Sequence, residues 1–135
     1  MKKIVIGGLL VGALFWVVGM IFGTFTADLY AMSPKVFWKP MTGTWAIKMV
    51  AYNFVSAFIF AHVFSMIGSV VPGKGYQKGL VFGLLIFLVG PFLGLSMTYI
   101  TMAIRAKLVF MWALNNLVAY LLAGITFQLI EERIQ

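Results

Sequence analysis

Three features of this 135-residue chain predict an all-α integral membrane protein with four transmembrane helices arranged as two tandem helical hairpins. Hydrophobic residues make up 63% of the composition and charged residues 10%, and the mean hydropathy of +1.06 lies far outside the range of soluble domains. Four stretches, residues 4–27, 49–73, 79–104 and 108–130, contain no Lys, Arg, Asp or Glu. Each is 23 to 26 residues long, and at about 1.5 Å per residue each can cross a hydrocarbon core of about 30 Å. The third feature is an internal echo. Gly8 to Gly23 reads GLLVGALFWVVGMIFG and Gly79 to Gly94 reads GLVFGLLIFLVGPFLG, with seven identical positions where a random register of so apolar a sequence gives about one or two.

The first unit, residues 1–71, holds span 1 (about residues 4–27), a connection and span 2 (about residues 45–71). Runs this long and uniformly apolar exceed barrel strands, and backbone groups in lipid must be satisfied within the segment, so helices are expected. Lys2 and Lys3 before an apolar run resemble a secretory leader, but the run is longer than a usual leader core and Phe25 spoils a cleavage site ending at Ala27, so a retained first span is expected. The connection from Asp28 to Thr44 contains Ser33-Pro34-Lys35-Val36-Phe37-Trp38-Lys39-Pro40. Its aromatic and basic residues predict a segment lying along head groups, or docking a partner.

A turn at 72–78 leads to the second unit, residues 79–135, with span 3 (about 79–104), a short basic link and span 4 (about 108–130). Each unit has two spans, so both enter from the same side, and an approximate two-fold axis along the membrane normal is expected. The second helices also align: Met49, Ala51, Asn53, Ala57 and Ala61 match Met111, Ala113, Asn115, Ala119 and Ala123. Pro91 stands where the first unit has Met20, which predicts a kink in span 3 only.

Gly8, Gly12, Gly19 and Gly23 fall within about 60° of one helix face, as do Gly79, Gly83, Gly90 and Gly94. These eight are the expected helix-packing residues, facing the Asn/Ala faces of spans 2 and 4 or another subunit. Asn53 and Asn115 occupy equivalent places, so they are candidates either for a register-setting amide pair or, with Asn116, for a polar ligand or ion site. His62, the single histidine, is a candidate axial ligand for haem or pigment or else a neutral, hydrogen-bonded side chain.

No cysteine is present, which excludes disulfides and thiolate metal sites. One His, one Asp and two tail glutamates assemble no catalytic triad, carboxylate pair or metal cluster, so neither a catalytic residue nor a metal is expected. The net charge of +7 comes from short basic clusters beside the spans, which suits anionic lipid head groups and not nucleic acid. Five cations flank each side: Lys2, Lys3, Lys74, Lys78 and Arg133 against Lys35, Lys39, Lys48, Arg105 and Lys107. The charge count therefore ties. The paired lysines before span 1, and Tyr30, Trp38, Trp45 and Trp112 on the far side, favour cytoplasmic termini.

The segment Lys78-Gly79-Leu80-Val81-Phe82-Gly83-Leu84, continuing to Gly90-Pro91, resembles small bacterial four-span membrane proteins of unknown function. The resemblance implies the span pattern and a bacterial inner membrane, and it implies no activity. Three functions are therefore expected in order. The first is a non-enzymatic accessory or structural subunit, in a homo-oligomer or with other membrane subunits, and without cofactor. The second is a small transporter or channel, possible in both insertion orientations. The third is a subunit binding haem, quinone or pigment near His62.

Overall fold

The computed structural model of the chain describes residues 1–32, 39 and 41–134. The head-group segment expected between Ser33 and Pro40 falls, apart from Lys39, outside the described residues. Among these the chain is helical throughout, with no strand. The helices are α1 (Lys2–Ala31), α2 (Gly43–Ile67), α3 (Tyr76–Phe87), α4 (Leu93–Thr101) and α5 (Ala106–Arg133). A π-helical turn, Leu88–Phe92, joins α3 to α4 into one long third helix. The four helices so formed are each long and apolar enough to cross a membrane.

Helix boundaries follow local chemistry. The Thr42 hydroxyl accepts from the Trp45 amide at 3.3 Å and caps α2. At its other end α2 tightens into a 3₁₀ turn, Gly68–Val70, ahead of Pro72. The chain then reverses through Gly73 (φ 109°) and Gly75 (φ 54°), a left-handed backbone that side chains resist. Helix α1 runs a turn beyond the uncharged stretch because Asp28 and Tyr30 continue it, their carbonyls both accepting from the Met32 amide.

Helix α5 organises the packing. It lies along both α1 and α3, and α1 also lies along α2. Two aromatic triads knit these pairs together. Phe15 of α1, Phe60 of α2 and Tyr120 of α5 meet with ring centroids 4.9 to 6.0 Å apart. One turn along α2, Phe64 meets Phe82 of α3 at 4.9 Å and Phe127 of α5 at 5.8 Å. Edge-on and offset rings at these separations attract beyond their contact area. The small residues Ala57, Ala61, Ala119 and Ala123 are buried between them.

The antiparallel pair α1 and α5 is fastened at both ends. Lys3 Nζ donates to Glu131 Oε1 at 2.9 Å, and Trp112 Nε1 donates to the Tyr30 hydroxyl at 2.6 Å. The Trp112–Tyr30 bond is half-buried, so Trp112→Phe is expected to lower stability by about 1 kcal/mol, read from unfolding midpoints in mixed detergent. No change on substitution would assign that end to ring contact alone.

Candidate functional site

The glycine faces divide into two halves with opposite fates. A Cβ added at Gly8 would lie 2.6 Å from Phe58 Cε1, and one at Gly12 would lie 2.8 Å from Phe54 Cε1. In the first hairpin, then, the bare notches of α1 receive aromatic rings from α2. In the second hairpin they receive backbone: a Cβ at Gly79 would lie 2.7 Å from the carbonyl carbon of Gly124, and one at Gly83 would lie 2.9 Å from Leu121 Cα. Gly124 aligns with His62, and its lack of a side chain lets α3 come down onto α5.

The equivalent contacts consequently differ in register by one helical turn. Gly8 meets Phe58, whereas its counterpart Gly79 meets Gly124, which aligns with position 62. The alanines of the expected Asn/Ala faces are thus buried beside the glycine contacts while Asn53 and Asn115 are half-buried, and Phe54, Phe58 and Gly124 fill the notches themselves.

At Gly19, Gly23, Gly90 and Gly94 an added Cβ would meet nothing within 4 Å among the described residues. Among the described residues these four pack against no other helix, so of the two partners expected for the glycine faces, the neighbouring spans or another subunit, only the first half of each face meets a neighbouring span. Pro91 supplies the reason for the second pair. It lacks an N–H, and its ring crowds the Phe87 carbonyl, so the helix widens to a π turn instead of only bending. Gly79 and Gly83, ahead of the turn, press on α5, whereas Gly90 within it and Gly94 beyond it stand clear.

A groove of about 470 Å³ opens where the two helices separate. Gly90, Pro91, Gly94 and Thr98 of the third helix form one wall, Asn116 and Tyr120 of α5 form the other, and Tyr52 of α2 stands at the side. Asn116 Nδ2 donates to the Trp112 carbonyl at 2.8 Å, which fixes the amide and leaves its oxygen as an acceptor. The Thr98 hydroxyl donates to the Gly94 carbonyl at 2.9 Å and keeps its lone pairs toward the groove wall. The groove therefore sets two phenols, an amide and a hydroxyl in the middle stretch of otherwise apolar helices. It can hold a polar group or a second polar helix face, and it contains no nucleophile–base pair.

Of the residues singled out from sequence, Asn116, Gly90 and Gly94 are brought together here. Asn53 and Asn115 are not part of it. No hydrogen bond joins those two among the described residues, and Asn115 Oδ1 is buried without a partner. His62 is exposed on α2, its carbonyl accepting from Ser65 Oγ at 2.7 Å. Among the described residues no three His, Cys, Asp or Glu side chains gather as metal ligands. Tyr52, Thr98 and Tyr120 were missed. Their signal was periodic: Tyr120 follows Asn116, and Thr98 follows Gly94, by the four residues that place them on one helix face.

No family model, curated protein or solved structure matches the chain.

Proposed function

We propose that this chain is a non-enzymatic integral membrane protein that works as a subunit of a membrane assembly, with a second copy of itself as the first partner. In this reading its four helices cross a bacterial inner membrane as two hairpins about an approximate two-fold axis, with both termini cytoplasmic. Its outer surface supports that setting: Leu9, Leu10, Val17, Ile21, Val89 and Ile100 are among many large apolar side chains left exposed, far more than a water-soluble surface carries.

The groove carries the reading. Acyl chains offer the groove's hydroxyl and amide groups no hydrogen bond beyond those that Thr98 and Asn116 make within their own helices, and they leave the open glycines without a close neighbour. A helix from another subunit satisfies both at once, because Gly90 and Gly94 let its backbone approach while Asn116, Thr98 and Tyr52 bond to it. The test uses the absence of cysteine from the chain. With Gly94→Cys in native membranes, mild oxidation is expected to give a disulfide-linked dimer, and Val5→Cys is expected to give none. Gly94→Leu should abolish association in single-molecule counting. A chain that stays monomeric in the bilayer overturns the proposal.

A second reading rests on the same groove. A π turn beside a proline is the kind of helix interruption from which transporters build polar sites, and the groove joined to its copy across the interface would line a passage with phenols and amides. Solute flux in proteoliposomes, lost in Asn116→Leu with dimerisation intact, would place this reading first.

A further inference from the structure

A second cavity, of about 520 Å³, lies at the end of the bundle where all four long helices converge: the start of α1, the end of α2, the start of α3 and the end of α5. Its rim carries Lys2, Lys3 and Lys78 against one carboxylate, Glu131. That carboxylate is already engaged by Lys3 at 2.9 Å, and Lys3 also reaches the Glu131 carbonyl at 3.4 Å. Among the described residues Lys2 and Lys78 have no carboxylate partner. The cavity thus keeps, among the described residues, two lysine ammonium groups without a carboxylate partner, on different helices. Ser65 and Ser69 line the α2 side, and the floor is apolar. The Ser65 hydroxyl donates its proton to the His62 carbonyl, so it has no proton left to give a ligand.

A charged rim over an apolar floor matches one chemistry, a phosphate attached to hydrocarbon. Resting on the membrane-embedded reading above, we propose that this cavity binds the phosphate of an anionic lipid headgroup, with Lys2 and Lys78 as its charge partners and Lys3 held in reserve by Glu131. A water-filled pocket needs no such charge excess, whereas ammonium groups at a membrane surface attract anionic lipid. The placement adds a geometric constraint. Bound there, one headgroup contacts the first and third helices together.

The test titrates the intact protein in mild detergent with phosphatidylglycerol, phosphatidylcholine or inorganic phosphate, read by native mass spectrometry. Phosphatidylglycerol is expected to bind more tightly than phosphatidylcholine, and Lys2→Gln and Lys78→Gln each to weaken it about fivefold. Lys107→Gln, at the opposite end, should leave the preference unchanged. Glu131→Gln, which releases Lys3, should tighten binding by a few-fold. Saturation by inorganic phosphate with no preference between the lipids would assign the cavity to a soluble anion and overturn the lipid proposal. Equal binding of both lipids without any phosphate effect, or loss in Lys107→Gln matching that in Lys78→Gln, would overturn the cavity as a site. Retention of each variant in carbonate-washed membranes reports separately on insertion, so failure here leaves the membrane reading standing or falling by its own measurement.

Discussion

Gly124→Leu is expected to detach α3 from α5 and to lower stability by about 3 kcal/mol or more, at the top of the range for overpacking. The reason is that the atoms in the way are backbone. A Cβ at Gly124 would lie 3.0 Å from both the Gly79 carbonyl carbon and the Gly83 amide nitrogen, with the Gly79 carbonyl oxygen closer still. No rotamer change relieves such a contact, so the helices must separate. In lipid, separation forfeits the dispersion contacts and the weak backbone contacts that hold such helices together, with no hydrophobic term to compensate. The check is the unfolding midpoint of the purified chain in mixed detergent, with Gly19→Leu as the comparison because that position is open. If Gly124→Leu melts with the parent chain, the backbone seam between α3 and α5 is not what holds the second hairpin.

Phe64→Ala is expected to cost about 3 kcal/mol, the lower end for deleting a buried phenyl ring. Phe64 is 5% exposed and is the one ring through which α2 reaches both Phe82 of α3 and Phe127 of α5. Its loss leaves a void bounded by three helices that cannot collapse together, because Gly8 and Gly12 pin α2 to α1 while Gly79 and Gly83 pin α3 to α5. Phe25→Ala, at a position 70% exposed, should be nearly silent. A double-mutant cycle with Phe82→Ala should show coupling of about 1 kcal/mol. Additive effects of the two substitutions would show that the rings merely fill space.

Much of this architecture was legible because lipid imposes a coarse rule: uncharged runs of sufficient length become helices. Pro72 and the two left-handed glycines that follow it marked the turn between the halves by ordinary turn chemistry, whereas the Thr42 cap that starts α2 at Gly43 emerged only in the structure. Pro91 announced an irregularity, although whether a helix bends or widens there depends on neighbours that sequence does not display. The glycine faces meet other helices of the chain along half their length. Periodicity says which residues share a face, and it says nothing about where along that face a partner helix departs. The departure at Pro91 is a tertiary event, and it decides that Gly83 is a seam while Gly94 is a shore. Among the described residues no hydrogen bond joins the amides of Asn53 and Asn115, and the contacts between their helices run through large rings, Phe60 on Tyr120 and Phe64 on Phe127. Alignment of two copies predicts equivalent positions, and it does not say whether small or bulky side chains set the distance between the helices that carry them.

The fastening of α1 to α5 has a consequence for biosynthesis. The pairing joins segments roughly a hundred residues apart, so α1 finds one of its two lasting neighbours only once α5 has been made. Until then α3 too lacks the backbone it is shaped to meet, and its glycines face whatever the insertion machinery or a chaperone provides. The packing of α1 and α3 is completed only with α5, and a chain that stops before residue 106 leaves uncovered the faces of both that meet α5.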